Sequence, residues 1–146
     1  MTDNHSKDVR SKNMSHIRSI DTKPEIAVRK FLFSKGFRYR KNKKSLPGCP
    51  DIVLSKYKTV IFVNGCFWHK HDCSRFVWPS SNQDYWRSKI SKNIERDKEN
   101  YNLLENEGWR VIVIWECQLK KSSFIATMNR IVSDLTRFQN KNEKDV

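Results

Sequence analysis

The sequence predicts an α/β domain of three layers, α/β/α, built around a central mixed sheet. Two observations carry that prediction. Helical and strand periodicity alternate along the chain in the order helix, strand hairpin, long helix, strand, helix. The segment Trp109–Trp115 is apolar at every position except Arg110, the pattern of a central strand covered on both faces. At 146 residues the chain is most simply one domain, long enough to bury a core without disulfides.

The elements follow in order. Asp3 to Arg18 reads as a polar, basic arm in which a short helix would carry Met14 and Ile17, and residues 1–20 are assigned to this arm. Asp21 is placed to cap a helix with Pro24 and Glu25 in its first turn. Val28, Phe31, Leu32 and Lys35 recur at helical spacing until Gly36 stops it. Phe37 to Arg40 reads as a short strand, Leu46-Pro47-Gly48-Cys49-Pro50 as a turn, and Asp51 to Leu54 as a strand that begins at a carboxylate. Lys56-Tyr57-Lys58 then reverses the chain into a strand over Thr59 to Asn64. A long helix is predicted from Gln83 to Asn106, with Trp86, Ile90, Ile94, Tyr101 and Leu104 on one stripe and Gly108 just past its end. A last amphipathic helix runs from about Ser123 to Phe138, so the folded domain spans residues 21–140 and a charged tail 141–146. No repeat or low-complexity linker interrupts this order.

Charge narrows the partner. A net charge of +13 with basic residues spread from Lys7 to Lys144 points to a polyanion, and the five tryptophans and eight phenylalanines suit stacking on or wedging between bases. A ribosomal-type protein or a generally basic solvated surface would share the charge. Residues 1–20 are polar throughout, and the apolar runs Val60–Val63 and Val111–Trp115 are far below the roughly 20 residues of a membrane span. The expectation is a cytosolic protein, in which four cysteines serve metal or remain free thiols.

Chemistry concentrates in the nine residues Gly65-Cys66-Phe67-Trp68-His69-Lys70-His71-Asp72-Cys73, directly after a hydrophobic strand. Cys66, His71 and Cys73 lie close together, and Cys117 falls two residues past the second apolar strand, where a sheet would bring it alongside. Three thiolates and an imidazole have the composition of a closed structural zinc site, although Cys117 as a small buried residue fits the same spacing. Phosphodiester hydrolysis needs a divalent cation on carboxylate oxygen and a group that deprotonates water. Asp51, at the start of a strand, suits the first role and His69 the second. Glu25 and Asp97 are further carboxylates, and Asp97 projects near the apolar stripe where a histidine would partner it. Each also has an ordinary reading: Glu25 as a first-turn helix charge, Asp51 as a turn residue, Asp97 as part of the solvated run Glu95-Arg96-Asp97-Lys98.

Several uncommon motifs agree together. Arg10-Ser11-Lys12-Asn13-Met14, Asp21-Thr22-Lys23-Pro24-Glu25, Leu46-Pro47-Gly48-Cys49-Pro50-Asp51, Gly65-Cys66-Phe67-Trp68-His69, Asn93-Ile94-Glu95-Arg96-Asp97 and Trp115-Glu116-Cys117 resemble the very short patch repair endonucleases, in order over residues 8 to 118. The resemblance implies a monomeric enzyme with a restriction-endonuclease-like fold that nicks double-stranded DNA 5′ to the thymine of a T:G mismatch left by deamination of 5-methylcytosine. It implies Mg²⁺ on Asp51 and the Val63 backbone carbonyl, with Glu25 organising the metal and water shell. It makes His69, oriented by Asp97, the base. Cys66, His71, Cys73 and Cys117 would hold a structural Zn²⁺, and Phe67, Trp68 and Trp86 would wedge beside the mismatch. The arm with Arg10, Lys12, Met14 and Ile17 would close over the DNA from the opposite groove. Mismatch-repair proteins and a DNA polymerase would act downstream, at the bacterial nucleoid.

The chain departs from the family at Asn64, where histidine is frequent and assists at the metal site and scissile phosphate. Asparagine donates a hydrogen bond there but carries no charge and transfers no proton near neutrality. The acidic-x-Lys element usual in such nucleases is also absent from Thr59–Asn64, which leaves His69 as the base. Two rival readings stand beside the mismatch nickase: a PD-(D/E)xK-like nuclease of different specificity, and a non-catalytic zinc-stabilised DNA-binding protein.

Overall fold

Thr22 opens the first helix, α1, over Lys23–Ser34 by accepting the Glu25 N–H on its hydroxyl at 3.4 Å. This computed structural model describes residues 22–71, 73 and 76–144. Arg10, Lys12, Met14, Ile17 and the rest of the predicted arm lie outside the described residues, as does Asp21. Thr22 therefore takes the capping role expected of Asp21. At the other end Gly36, at φ 92°, closes the helix: its N–H meets the Phe33 carbonyl at 3.0 Å and the Phe37 N–H meets Leu32 at 3.0 Å.

The sheet is mixed, with four strands in the order β1 (Arg40–Lys41), β2 (Ile52–Leu54), β3 (Thr59–Asn64) and β4 (Arg110–Trp115). Its first strand is shorter and later than the expected Phe37–Arg40. Phe37 instead turns its ring into the core beside Tyr57, at 5.3 Å between centroids. β2 pairs antiparallel with β1 and with β3, and a helical turn at Ser55–Tyr57 followed by left-handed Lys58 makes the reversal. β3 and β4 run parallel from Thr59 opposite Arg110 to Asn64 opposite Trp115. Parallel neighbours require a long crossover, which α2 (Gln83–Asn106) supplies with the predicted bounds. Gly108, at φ 89°, ends it and feeds β4.

One expectation fails. β4 is an edge of the sheet among the described residues, and only Ile114 in it is fully buried; β2 and β3 are the interior strands. The unbroken apolar run of β4 is accounted for by helices packed across it rather than by strands on both sides.

Successive residues of β3 serve different clusters, as pleating requires. Ile61 joins Val28 and Leu32 of α1, Ile52 and Leu54 of β2, and Met128, Ile131 and Leu135 of the last helix, α3 (Phe124–Lys144). Val60 and Phe62 join Val53 and Leu104, with Tyr101 and Trp109 against them. α3 continues to Lys144, past the predicted end near Phe138, so the start of the expected tail is helical. Among the described residues no helix is long and apolar enough to cross a membrane.

Candidate functional site

The carboxylates gather where β2 begins and β3 ends. Asp51 is 9% exposed, and its Oδ2 accepts the Val63 N–H at 2.6 Å. That N–H is available because the antiparallel pairing of β2 with β3 stops at Ile52 opposite Ile61. A residue's N–H and C=O leave a strand on the same side, so the Val63 carbonyl shares this edge. The preceding turn is tightly seated: Gly48 has φ 77°, and a Cβ there would come within 3.1 Å of both Asn100 and Phe62. Burial pushes the Asp51 carboxyl up to about 7; the Val63 N–H opposes the shift and the charge of Glu25 adds to it.

Glu25, in the first turn of α1, is 1% exposed. Its Oε1 accepts from Arg29 at 2.9 Å and from the Asn42 side chain at 3.0 Å. Asn42 also sends its backbone N–H to the Asp51 carbonyl at 3.2 Å, and so ties the two acidic residues together. Sequence reasoning passed over Asn42. Its left-handed φ of 50° is a conformation asparagine tolerates, but nothing local pointed to a partner 17 residues away.

The loop after β3 carries the candidate base. Nδ1 of His69 bonds Oδ2 of Asp97 on α2, bringing together the pair expected from the sequence. With Nδ1–H given to the carboxylate, Nε2 is left as the proton acceptor. A second residue of α2, Asn93, donates to the Trp68 carbonyl at 3.1 Å and accepts from Arg96 at 2.5 Å, holding the loop next to His69. Asn64, 5% exposed, donates from Nδ2 to the Tyr101 hydroxyl at 2.9 Å. Burial pushes that phenol up to about 12. Asn93 entered the sequence reading only as the first residue of a motif, and the hydroxyl of Tyr101 not at all, because the ring already fits the apolar stripe of the helix.

Cys66, His71, Cys73 and Cys117 converge, with one ligand atom from each inside a 4.8 Å limit. The parallel register explains the meeting of distant thiols: Asn64 pairs with Trp115, and two residues on from each comes a cysteine. His71 Nδ1 lies 3.7 Å from the Cys66 sulfur and 3.4 Å from that of Cys117. Ligand atoms around a tetrahedral zinc-sized ion stand roughly 3.6–3.8 Å apart, so the donor set fits such an ion. The His71 ring stacks on Trp115 at 4.2 Å and 10°. Burial pushes the Cys66 thiol up to about 12, opposed by the Cys117 N–H and reinforced by the neighbouring thiols.

The three aromatics expected to act together touch one another. Phe67 lies 5.2 Å from Trp68 and 5.4 Å from Trp86, and Trp68 lies 5.8 Å from Trp86. The cluster is larger than expected. Phe76 stacks on Phe67 at 5.9 Å and meets Trp78 edge-on, while Tyr85 meets Trp86 at 5.2 Å. The segment 76–79 has no periodicity that would have marked Phe76 and Trp78. Asp51, Asn64, Trp68, His69, Trp86 and Asp97 all line a single cleft of about 1280 Å³.

Because burial raises the Asp51 carboxyl from 3.8 to about 7, the native chain holds a proton there that the unfolded chain releases. The stability contribution of this group is therefore full below its unfolded value and lost as pH rises toward 7. In metal-free buffer at pH 8, Asp51→Asn should melt several degrees above the parent, on the order expected for a few kcal/mol. The gain should vanish near pH 4. Thermal melts of both proteins across that range check it, and equal melting points at pH 8 would count against a buried carboxylate.

A family model described as DNA mismatch endonuclease Vsr matches residues 2–75. The type II nicking enzyme V.NmeAIP of Neisseria meningitidis serogroup A is 53% identical over 136 residues, covering 92% of this chain and 97% of that protein. The DNA mismatch endonuclease Vsr of Escherichia coli is 44% identical over 120 residues, covering 82% of this chain and 77% of its own. The type II nicking enzyme V.XorIIP of Xanthomonas oryzae pv. oryzae is 44% identical over 134 residues, covering 92% and 98%. With a family model over half of the chain and relatives of this identity and extent, the chain belongs to the DNA mismatch endonuclease Vsr family.

Proposed function

We propose that the protein is a Mg²⁺-dependent endonuclease that nicks double-stranded DNA 5′ to the thymine of a T:G mismatch arising from 5-methylcytosine deamination, opening very short patch repair. The observation that carries this reading is the convergence in one cleft of a buried carboxylate, a carboxylate-oriented histidine and a mutually packed aromatic cluster. The names of the relatives, mismatch endonuclease and nicking enzyme, favour it. A three-layer, restriction-endonuclease-like fold belongs to the same reading and is supported by the two apolar clusters that share β3.

Asp51 and the Val63 carbonyl would hold Mg²⁺, which when bound supplies compensation for negative charge developing on the phosphate. Glu25, fixed by Arg29 and Asn42, organises water beside it. His69 takes the proton of the attacking water on Nε2, and Asp97 stabilises the imidazolium that results. Cys66, His71, Cys73 and Cys117 would hold Zn²⁺, a closed structural site whose chemistry suits three thiolates and an imidazole.

A T:G wobble stacks less favourably than a Watson–Crick pair, so inserting Phe67, Trp68 and Trp86 costs least there. The arm bearing Arg10, Lys12, Met14 and Ile17 closes from the other groove. On this reading the enzyme works as a monomer on DNA in the bacterial cytoplasm, ahead of a polymerase and mismatch-repair proteins.

Nicking of Mg²⁺-supplied duplexes that differ only at one T:G pair separates this reading from its rivals. Equal nicking of T:G and T:A would indicate a nuclease of other specificity, and binding without nicking a non-catalytic protein. Asp51→Ala should abolish nicking while leaving fold and DNA binding largely intact. His69→Ala should lose on the order of 10²–10⁴-fold, and Asp97→Asn less. Substantial nicking by Asp51→Ala would remove Asp51 from the metal role.

The purified protein should carry about one zinc per chain. Cys117→Ser should lose zinc and thermal stability together, since metal binding and folding are linked. Active, folded protein without zinc by metal analysis would overturn the site.

In Ca²⁺, which blocks cleavage, binding to any duplex should weaken steeply with salt through counterion release. Trp68→Ala should erode the T:G over T:A preference by roughly a few kcal/mol and leave the salt slope nearly unchanged. An unchanged preference in both Trp68→Ala and Phe67→Ala would make these aromatics structural.

A further inference from the structure

Asn64 closes β3 one residue after Val63, whose N–H holds Asp51, and its side chain lines the same cleft. It is joined to α2 by the bond from Nδ2 to the Tyr101 hydroxyl at 2.9 Å. Tyr101 lies one helical turn beyond Asp97, the partner of His69. Its ring is set by Phe62, two residues before Asn64, at 5.0 Å and 58°. A phenylalanine would serve that packing equally well. The hydroxyl adds a polar group whose burial is costly unless it is bonded, and the amide that bonds it belongs to the cleft. With one Nδ2 hydrogen given to Tyr101, Asn64 keeps its second N–H and its Oδ1 for whatever enters.

We propose that Tyr101 is a positioning residue of the nicking reaction: its hydroxyl anchors the Asn64 amide, so that the remaining N–H of Asn64 hydrogen-bonds the scissile phosphate beside Asp51. This rests on the proposed function. One helix then sets two separate parts of the site, His69 through Asp97 and Asn64 through Tyr101. Asn64 and Tyr101 are joined by a bond between uncharged groups, which orients the phosphate without adding charge to a cleft already lined by the carboxylates of Asp51 and Asp97.

The test is a double-mutant cycle on a T:G duplex, reading single-turnover nicking in Mg²⁺ and affinity in Ca²⁺. Tyr101→Phe should slow nicking about tenfold, as expected for loss of one oriented hydrogen bond, and leave affinity within about twofold. Asn64→Ala should slow nicking as well, and adding Tyr101→Phe to it should cost nothing further. Parental nicking by Tyr101→Phe, or the same tenfold loss in the Asn64→Ala background, overturns the proposal. The anchoring is read independently by NMR of the side-chain amide of Asn64, assigned by its disappearance in Asn64→Ala. Its protons should exchange slowly in the parent and markedly faster in Tyr101→Phe; equal exchange rates overturn the anchor. If the parent leaves every T:G duplex intact, the proposed function falls, and the NMR comparison still decides whether Tyr101 holds the amide.

Discussion

The parallel register of β3 and β4 is the constraint on which the site depends. It sets Asn64 beside Trp115, and the Cys117 N–H then meets the Cys66 sulfur at 3.4 Å. From that contact the chain turns tightly, with the His69 N–H returning to Gly65 at 3.3 Å and the His71 N–H to Cys66 at 2.9 Å. Phe67, Trp68 and His69 are consequently carried on a loop pinned at its base to the sheet. α2 grips the tip of the same loop, through Asn93 at the Trp68 carbonyl and Asp97 at His69. The loop has no regular secondary structure of its own, and its geometry comes from these attachments. A defect in the cysteine and histidine cluster would therefore reach His69 and the aromatics together.

Electrostatics explains why the proposed activity needs a cation. The chain is strongly basic overall, which draws a polyanion in, yet the cleft is lined by Asp51 and Asp97, with the buried Glu25 near enough to push Asp51 up further. Asp51 is already driven up to about 7 by burial, before any phosphate approaches. A phosphodiester brought beside it adds a further negative charge at a few ångströms, where repulsion at an effective dielectric of about 20 is on the order of several kcal/mol. A divalent cation between the two reverses the sign of that interaction. The long-range charge of the surface and the short-range charge of the cleft thus serve different steps, association and chemistry.

Much of the architecture was legible because it rests on periodicity. α2 and β3 have their predicted bounds since their apolar patterns and terminal glycine or turn residues agree. The meeting of Cys66 with Cys117 and of His69 with Asp97 was legible from spacing and residue chemistry, whereas the grouping of Phe67, Trp68 and Trp86 followed only from the family resemblance. What escaped was long-range and polar. Pattern cannot tell a strand covered by helices from one flanked by strands, and β4, an edge strand, carries the apolar run of a central one. Asn42 acts through a partner on another element, and Tyr101 was counted by its ring although its hydroxyl makes the informative bond. The short β1 shows the same limit: Phe37 belongs to the core through a contact with Tyr57 that no local pattern encodes.

The packing of the aromatics bears on how a mismatch would be selected. Phe67, Trp68 and Trp86 meet one another at 5.2–5.8 Å, and Phe76 supports Phe67 from behind. Side chains already held by neighbours lose little rotamer freedom on insertion, which lowers a cost that flexible side chains would meet in full. That saving is the same for every duplex and so contributes affinity without preference. On the proposed reading the wedge would enter T:G and T:A sites with the same shape, and its own terms would cancel when the two are compared. What remains is the difference in the energy needed to open the two base steps. A soft wedge would adapt to each duplex and blur that difference, whereas a rigid one passes it undiminished into the choice of site. Rigidity, supplied by the attachments at both ends of the loop, is therefore the property through which this cluster would turn the deformability of DNA into specificity.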